Sequence, residues 1–509
     1  MSQHPTAQEL TAAATARLQE LQAAGQPPTA KERLALPQQE MPAQPPAERI
    51  RNVREVTLGY SPAQARLEAL RCLQCPTQPC VKGCPVQLDI RGFLKAVAAG
   101  DEAGAIAIIK QNSLLPAVCG RVCPQETQCQ AECTLGKALK DPEKSVCIGR
   151  VERYVADWER DNGRIQTPAV KPATGKKVAV IGSGPASLVC AADVRREGHA
   201  VTVFEAFHKF GGVMLYGIPE FRLPKAIVGI EVDTLRAMGV SLVPNFVVGR
   251  TRKLTDLLEK DGFDALFIGT GAGLPKFMNI EGENLVGVSS ANEYLTRANL
   301  MRAYDRERAA TPIAAAQKVV VLGGGNVAMD AARTALRLGA AEVHIVYRRT
   351  EKEMPARIEE VAHAKEEGVV FHFLANAKRI LGDAQGRATR LECVRYELGA
   401  PDKSGRPRPV LIPNSEYLME ADAVIVAIGN ESNPLIKQTT PNLKTDDWGH
   451  ILINEDGSTS IPHVYAGGDI VLGSATVILA MGQGRRAAAS INRQLAGDSH
   501  GNGPTNQSA

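Results

Sequence analysis

The stretch KKVAVIGSGPASLVCAADVRREGHAVTVFEA, residues 176–206, decides the fold of this chain. An apolar run leads into a glycine-containing turn, then a helical pattern, then a second apolar run that ends at Glu205. This order predicts a strand, a tight turn, a helix and a parallel strand. The stretch QKVVVLGGGNVAMDAARTALRLGAAEVHIVYRRT, residues 317–350, repeats the layout. Two such units predict an α/β protein with two Rossmann-like modules.

The first glycine turn has the residue types that a dinucleotide pyrophosphate requires. A backbone without Cβ atoms lets the phosphates approach, and the positive end of a helix dipole stabilises their charge. Glu205 closes the next strand, where an acid accepts hydrogen bonds from ribose hydroxyls. Ser187 stands where a third glycine is usual. The candidate cofactor-binding residues here are Gly182, Ser183, Gly184, Pro185, Ala186 and Glu205.

The second glycine turn is followed by a strand that ends in arginines instead of an acid. Ala328 takes the third position of the motif, and Arg348 and Arg349 follow the strand. Guanidinium groups there suit a ribose 2′-phosphate, so the sequence predicts NADPH in preference to NADH. The alternative is that both arginines form a solvated basic edge. The candidate nucleotide-binding residues are Gly323, Gly324, Gly325, Asn326, Val327, Arg348 and Arg349.

The C-terminal region supplies a further piece of a cofactor site. Gly468 and Asp469 follow a short apolar run, and a helical pattern begins near Ala475 and Thr476. The N-terminus of that helix would stabilise negative charge on a reduced flavin. We therefore expect the first unit and the C-terminal region to form one FAD domain, with the NADPH domain inserted between them. The stretches IGTGA (268–272) and AIGN (427–430) are the predicted crossover points.

Nine of the eleven cysteines lie between Cys72 and Cys147. The stretch RCLQCPTQPCVKGCPV, residues 71–86, spaces four of them as C-x2-C-x4-C-x3-C-P. In ferredoxins with two clusters the fourth, proline-flanked cysteine often serves the other cluster. A second group, Cys119, Cys123, Cys129 and Cys133, makes two [4Fe–4S] clusters possible. Structural zinc is the alternative, since zinc also takes four thiolates.

The composition excludes several functional classes. A net charge of +4 with 4% aromatic residues argues against nucleic-acid binding. No apolar run approaches the roughly 20 residues of a membrane span. The N-terminal residues lack the layout of a signal peptide, so we expect a cytoplasmic protein.

The pattern along the chain predicts six segments. A helix is expected near residues 7–23, and Pro- and Lys-bearing residues 164–177 form a linker. The segments are an N-terminal extension (1–50), a helical double [4Fe–4S] domain (51–165), the first part of the FAD domain (166–300), the NADPH domain (301–425), the second part of the FAD domain (426–497) and a disordered tail (498–509).

Together with the glycine turns and the cysteine group, several stretches resemble the small (beta) subunit of NADPH-dependent glutamate synthase. They are LPAVCGRVCPQETQC (115–129), CIGRVERYVADW (147–158), YGIPEFRLP (216–224), GGGNVAMD (323–330), YRRTEKEMP (347–355) and VYAGGDIVLGSATV (464–477). The same module resembles the large subunit of NADH-dependent ferredoxin:NADP oxidoreductase or sulfide dehydrogenase. It also resembles the NAD(P)H-accepting part of dihydropyrimidine dehydrogenase.

The resemblance implies an interleaved set of metal ligands. Cys72, Cys75, Cys80 and Cys133 would hold one cluster, and Cys84, Cys123, Cys129 and Glu152 would hold the other. Cys119 and Cys147 would then be uncoordinated, although Cys147 could compete with Glu152. Gly212, Val213 and Arg222 are added as cofactor-binding candidates, because Arg222 matches a flavin-contacting arginine of the family.

The function implied is electron transfer from NADPH through FAD and the clusters to a second redox subunit. Hydride transfer needs positioning and no acid or base residue. The partner would be a glutamate synthase large subunit or a ferredoxin–NADP reductase-like flavoprotein. The FAD region contains no C-x-x-C, which argues against disulfide reductase chemistry. The alternative of a different class is a redox sensor or scaffold. Cys190, His344 and His372 are expected to be structural.

Overall fold

The computed structural model describes residues 5–311, 313, 315–401 and 405–497. The predicted disordered tail, 498–509, lies outside these residues. The N-terminal region is helical, as expected. Its helices are α1 (Ala7–Ala23), α2 (Ala30–Ala35), α3 (Pro46–Arg49), α4 (Pro62–Leu70), α5 (Pro79–Lys82), α6 (Ile90–Ala99), α7 (Glu102–Asn112), α8 (Pro116–Val122), α9 (Thr134–Leu139) and α10 (Ile148–Asp161).

The middle of the chain alternates strands and helices. Its elements are β1 (Lys177–Ile181), α11 (Pro185–Arg196), β2 (Ala200–Phe204), α12 (Val213–Tyr216), α13 (Lys225–Ala237), β3 (Ser241–Val243), α14 (Leu254–Glu259), β4 (Ala265–Ile268), β5 (Leu274–Pro275), β6 (Val288–Ser290), α15 (Ala291–Asn299), β7 (Lys318–Leu322), α16 (Asn326–Arg337), β8 (Glu342–Tyr347), α17 (Ile358–Glu366) and β9 (Val370–Phe373).

The remaining elements begin with antiparallel strands and end with a long helix. They are β10 (Ala375–Gly382), β11 (Ala388–Pro401), β12 (Pro407–Leu411), β13 (Tyr417–Glu420), β14 (Ala423–Val426), β15 (Asn430–Glu431), α18 (Leu435–Thr439), β16 (Val464–Ala466), α19 (Asp469–Leu472) and α20 (Val477–Leu495).

The chain separates into two compact units. Unit I contains the N-terminal helical region, residues 213–228 and residues 273–430. Unit II contains residues 166–212, residues 229–272 and the C-terminal region from residue 431.

The predicted helix near residues 7–23 is confirmed by α1. Thr6 and Glu9 cap each other at its start, which satisfies free N–H groups of the first turn. Ala14 of this helix is buried with Leu36 and Leu67. The extension thus packs onto α4 through a small apolar cluster.

Unit II is built on a five-stranded sheet with the strand order β16-β4-β1-β2-β3. All its neighbouring strands are parallel, and Ile181 lies opposite both Phe204 and Ile268. The strand interiors are continuous apolar runs because both faces of a parallel sheet are covered. The carboxyl ends of β1, β2 and β16 therefore share one edge, where the glycine turn and Gly468 follow.

Unit I contains the second parallel sheet, with the order β6-β14-β7-β8-β9. Leu322 lies opposite Val346 and Val426, so the second glycine turn lies beside the end of β8. Along the chain, the antiparallel strands β10, β11, β12 and β13 form an insert between β9 and β14. β6 precedes residue 301, so this sheet includes residues N-terminal to the predicted start of the NADPH domain. The segment limits given above stay predictions.

The predicted fold class is confirmed. The first sheet takes β1–β4 before the second sheet and β16 after it, so one module is inserted in the other. Among the described residues, no helix combines the length and the apolar character that crossing a membrane requires.

Candidate functional site

The glycine turn of unit II leaves the start of α11 open to a ligand. Gly182 has a φ of +91°, and a Cβ there would lie 2.5 Å from the Gly269 carbonyl oxygen. Gly184 is the N-cap of α11, and no side chain caps this helix. The N–H groups of its first turn are therefore not satisfied by a side-chain cap, which suits a pyrophosphate.

Glu205 holds the turn in place. Its Oε2 accepts a hydrogen bond of 2.5 Å from Ser183 Oγ, and its Oε1 accepts one of 2.8 Å from Phe207 N. Ser183 Oγ in turn accepts a bond of 3.0 Å from Gly211 N. Burial raises the pKa of Glu205, while these hydrogen bonds lower it. A carboxylate has about four lone-pair positions. The bonds from Ser183 and Phe207 use one position on each oxygen, so Glu205 can still accept hydrogen bonds from ribose hydroxyls.

Three further glycines allow close backbone approaches around α11. A Cβ on Gly212, whose φ is +54°, would lie 2.7 Å from Gly184 Cα. A Cβ on Gly484 of α20 would lie 2.2 Å from the Ala186 carbonyl oxygen. Gly468, with a φ of +82°, faces the Ala186 methyl group. The structure thus brings the predicted turn residues, Gly212 and Gly468 to one edge of the sheet.

Asp469 and the start of α20 lie beside this edge. Asp469 Oδ1 accepts a hydrogen bond of 3.2 Å from Ala475 N, and burial raises the pKa of Asp469 to about 6. Thr476 is the N-cap of α20 and accepts a bond from Leu479 N. These contacts fix the segment between Gly468 and α20, whose amides were predicted to face the flavin.

Arg222 and Val213 lie in unit I, in residues 213–228. The Arg222 Nη1 donates to both oxygens of Asp330, at 2.8 and 2.7 Å, and its Nε lies 3.1 Å from Glu360. All three side chains are buried. The structure therefore engages the Arg222 guanidinium in ion pairs, and its contact with flavin stays a prediction.

The glycine turn of unit I has the same open helix start. Gly323 has a φ of +143°, and a Cβ there would lie 2.3 Å from the Ala427 carbonyl oxygen. Gly325 is the N-cap of α16, which has no side-chain cap. Asn326 uses its Oδ1 to accept a bond of 3.0 Å from Arg357 N, and Val327 is exposed.

A basic cavity of about 560 Å³ lies at the end of β8. Arg348 and Arg349 line it, as the sequence predicted, and both come from the residues that follow the strand. Residues of the antiparallel insert complete the lining; among them are Asn376, Tyr396 and Arg408. None of these three residues was predicted from the sequence, because no local pattern connects the insert with the end of β8.

Four cysteines line one cavity in the helical region. They are Cys72, Cys75, Cys80 and Cys133, and the apolar side chains around them include Leu94, Leu135 and Ile148. Burial is the main cause that raises the pKa of Cys80 to about 12, and the neighbouring Cys72 and Cys133 raise it further. The predicted first ligand set is therefore brought together, although Cys133 is far from the others in sequence.

The predicted second ligand set surrounds Glu152. Burial raises the pKa of the Glu152 carboxyl to about 8. Burial also raises the pKa of Cys84 to about 11, with further contributions from Glu152 and Cys123. Burial, Cys84, Cys123 and Glu152 all raise the pKa of Cys129. The electrostatic coupling among these four groups indicates that they are neighbours.

The two remaining thiols of the region differ in their surroundings. A hydrogen bond with Cys123 and burial raise the pKa of Cys119, so this thiol lies beside the second set. Burial and the nearby Glu68 raise the pKa of Cys147 to about 12. Its backbone N–H donates to Glu68 Oε1 at 2.8 Å, and Tyr60 is a further neighbour.

The first donor set fits an iron–sulfur cluster. In the described part of the chain, no three His, Cys, Asp or Glu side chains converge closely enough to hold a single metal ion. The first four thiols instead surround a cavity with an apolar wall. A [4Fe–4S] cluster occupies volume between its ligands, so thiolates arranged around a cavity suit such a cluster.

Two family models match consecutive parts of the chain. Residues 176–484 match the pyridine nucleotide-disulphide oxidoreductase family. Residues 49–164 match the family described as dihydropyrimidine dehydrogenase domain II, 4Fe-4S cluster. The chain is also 37% identical to the NADPH glutamate synthase small chain of Halomonas elongata, over 88% of this chain and 94% of that protein.

The chain belongs to the glutamate synthase small-chain family. The Escherichia coli small chain is 38% identical, over 87% of this chain and 93% of its own length. The beta subunit of NADP(+)-dependent formate dehydrogenase from Moorella thermoacetica is 38% identical over 82% of this chain. The chain spans only 60% of the length of that subunit.

A solved structure supports the fold of this chain. Mycobacterium tuberculosis FprA in complex with NADPH superposes with a TM-score of 0.53 at 22% identity. The match covers 64% of this chain and 85% of FprA.

Family membership confirms the predicted activity and cofactor types. This chain, as a member of the family, is an NADPH-dependent flavin and iron–sulfur oxidoreductase. FAD, NADP and [4Fe–4S] chemistry are its cofactor set. The residues assigned to each cofactor stay predictions, as does the number of clusters.

Proposed function

We propose that this chain is the electron-input subunit of an NADPH-dependent glutamate synthase and acts in the cytoplasm. The observation that carries the proposal is its extent of similarity. It matches 94% of the length of the Halomonas small chain but 60% of the formate dehydrogenase subunit. FAD bound at the turn of unit II would supply the chemistry to accept a hydride from NADPH and to give up single electrons, and the clusters would carry those electrons towards a larger partner that makes glutamate.

Within this proposal, the two open helix starts bind the two pyrophosphates. In unit II the proposed FAD ligands are the turn around Gly182 and Gly184, with Glu205 for ribose and Asp469 near α20. In unit I the turn around Gly323 binds NADPH. Both sites hold their ligands through backbone N–H groups, so they position the cofactors without acid–base chemistry.

We also propose that two interleaved ligand sets hold two [4Fe–4S] clusters. Cys72, Cys75, Cys80 and Cys133 form the first set, and Cys84, Cys123, Cys129 and Glu152 form the second. Support comes from the shared cavity of the first set and from the electrostatic coupling within the second. The surroundings of Cys147, with Glu68 and Tyr60, favour Glu152 as the eighth ligand.

Iron analysis of anaerobically purified variants tests the ligand sets. Cys80→Ser should remove about half of the iron, and Glu152→Ala should remove iron from the other cluster. Cys147→Ser is the matched control and should keep the full iron content. Loss of iron from Cys147→Ser with full retention in Glu152→Ala would exchange the two assignments.

Anaerobic purification from the native source at low salt tests the partner. The expected result is co-elution with a large subunit and NADPH- and glutamine-dependent formation of glutamate. Co-elution with a small flavin and iron–sulfur subunit, together with ferredoxin- or polysulfide-linked turnover, would instead favour the ferredoxin:NADP oxidoreductase or sulfide dehydrogenase branch.

A second measurement separates an enzyme from a redox sensor or scaffold. Addition of NADPH to the anaerobic protein should bleach the visible flavin band within the mixing time of a stopped-flow instrument. A scaffold that keeps the cofactors for structure would leave the band unchanged.

A further inference from the structure

We propose that the antiparallel insert of unit I completes the pocket for the 2′-phosphate of NADPH, and that Arg408 of this insert is one of its phosphate ligands. Arg349 acts as the residue that positions the insert. The inference rests on the proposed binding of NADPH at the second glycine turn, and it adds a residue that selects between NADPH and NADH.

Backbone hydrogen bonds attach the insert to the end of β8. Leu374 N donates to the Arg349 carbonyl oxygen at 3.1 Å, and Tyr396 N donates to the Leu374 carbonyl oxygen at 2.8 Å. Through Leu374, these two hydrogen bonds connect Arg349, the second residue after β8, with the middle of β11. This attachment brings the face of the insert that carries Asn376 and Tyr396 to the basic cavity.

Arg349 fixes β12, the third strand of the insert. Its side chain is only 4% exposed, and its Nε donates a hydrogen bond of 2.8 Å to the Pro407 carbonyl oxygen. Arg408 is the next residue, and it lines the same cavity. A buried guanidinium bonded to the backbone beside Arg408 restricts where Arg408 can lie.

Arg348 and Arg408 are exposed cations that line the cavity. Among the described residues, neither forms an ion pair and no carboxylate lines the cavity. Asn376 and Tyr396 add an amide and a hydroxyl group as neutral hydrogen-bond donors. Two unpaired guanidinium groups with neutral donors suit a phosphate dianion, which accepts charge-assisted bonds from several sides.

The position of the cavity identifies which phosphate it would bind. Arg348 follows the strand after the glycine turn, where Rossmann-like modules recognise the ribose of the bound nucleotide. A 2′-phosphate is the group that distinguishes NADPH from NADH at this point. The insert would thus add selectivity to a turn that binds the pyrophosphate of either nucleotide.

Calorimetric titration of the full, cofactor-loaded protein with 2′,5′-ADP and with 5′-AMP tests the inference. Loss of one charge-assisted bond should weaken 2′,5′-ADP binding by about tenfold in Arg408→Gln, with 5′-AMP unchanged. Arg408→Lys, which keeps the charge, should lose less. Arg390→Gln is the matched control, because Arg390 is an exposed arginine on β11 that does not line the cavity.

Kinetics with NADPH and an artificial acceptor give a second readout. Arg408→Gln should raise the KM for NADPH with little change in kcat, and the KM for NADH should not change. Retained FAD in each variant shows that unit II is folded.

The outcomes separate this inference from the proposal on which it rests. Unchanged 2′,5′-ADP binding in Arg408→Gln, with weaker binding in Arg348→Gln, would overturn the role of the insert and keep the NADPH site. Unchanged binding in both variants would overturn the inference and move the 2′-phosphate away from this cavity altogether.

Discussion

The two glycine turns lead into helices that are packed in opposite ways. Helix α11 of unit II lies against α20 through small residues, and a Cβ on Gly484 would lie 2.2 Å from the Ala186 carbonyl oxygen. One ion pair, Arg485 with Asp193 at 3.3 Å, lies at the edge of that contact. Helix α16 of unit I instead carries buried charged side chains, among them Asp330 and Arg333.

The charges of α16 form a connected network. Arg333 is 0% exposed and pairs with Glu360 and with Glu367, the latter at 2.8 Å. Arg337 also pairs with Glu367, at 2.7 Å. The Phe221 ring lies 3.9 Å from the Arg337 guanidinium and 4.8 Å from that of Arg333.

The comparison shows that one supersecondary unit tolerates two kinds of packing. Close backbone approach gains dispersion and apolar burial but permits no larger side chain. A buried ion network gains little net stability over an apolar contact, yet loss of one partner leaves a charge without compensation. We therefore expect α16 to be most sensitive to lost charges and α11 to be most sensitive to added volume.

The largest effect is expected from Arg333→Ala. This change leaves Glu360 and Glu367 buried without one of their cations, so the free energy of unfolding should fall by about 3–5 kcal/mol. Denaturant unfolding followed by circular dichroism measures it. Arg17→Ala, which breaks an exposed pair with Glu20, is the control and should cost less than about 1 kcal/mol. A similar loss in both variants would contradict the comparison.

Gly484→Ala should have the next largest effect. The added methyl group cannot fit against the Ala186 carbonyl, so α20 must shift, at a cost of about 1–3 kcal/mol and with weaker FAD binding. Gly229→Ala is the matched control, because a Cβ at that position in α13 meets nothing within 4 Å. It should stabilise the protein by up to about 1 kcal/mol. Stabilisation of the protein by both substitutions would argue against tight packing of α11.

The pH dependence of stability should reveal the charges around α16. Burial and the nearby Arg333 lower the pKa of His363 from 6.5 to about 4. The unfolded chain therefore binds a proton more readily, and the free energy of unfolding should fall as the pH drops from about 6.5 towards 4. His363→Gln should reduce this fall by about 1–3 kcal/mol. Identical profiles for the variant and the natural chain would show that His363 does not contribute.

The smallest effect is expected from Cys190→Ala. Cys190 is fully buried on α11, so removal of its sulfur leaves a small cavity that costs roughly 1 kcal/mol or less. Iron content should not change, in contrast with Cys80→Ser. A loss of iron in Cys190→Ala would indicate that the fold of the helical region depends on α11.

Local patterns in the sequence were sufficient for the sheets and the turns. Gly182 and Gly323 stand at positions where a positive φ and a close carbonyl exclude a side chain, and such glycines are recognisable from the neighbouring strands. The predicted burial of Cys190 on α11 is confirmed, because its side chain is fully buried. His344 and His372 lie on adjacent strands, with ring nitrogens 3.0 Å apart, and their structural role stays a prediction.

Long-range partners could not be predicted in this way. Asp330 and Arg333 stood in a quoted motif, but their partners at 222, 360 and 367 have no periodic relation to them. Arg349 was expected to meet a phosphate, whereas its Nε donates to a backbone carbonyl of the insert. In each case a polar side chain was recognisable, but its partner depends on tertiary packing.

The ion pair between Arg49 of α3 and Glu367 has a consequence for biosynthesis. The two residues are separated by 318 positions, and the Arg49 Nε to Glu367 distance is 2.7 Å. At about 5–20 residues per second, the ribosome adds Glu367 roughly 16–64 s after Arg49. Throughout that interval Arg49 lacks Glu367 as its counter-ion. Completion of this contact must therefore wait until most of the polypeptide has left the exit tunnel.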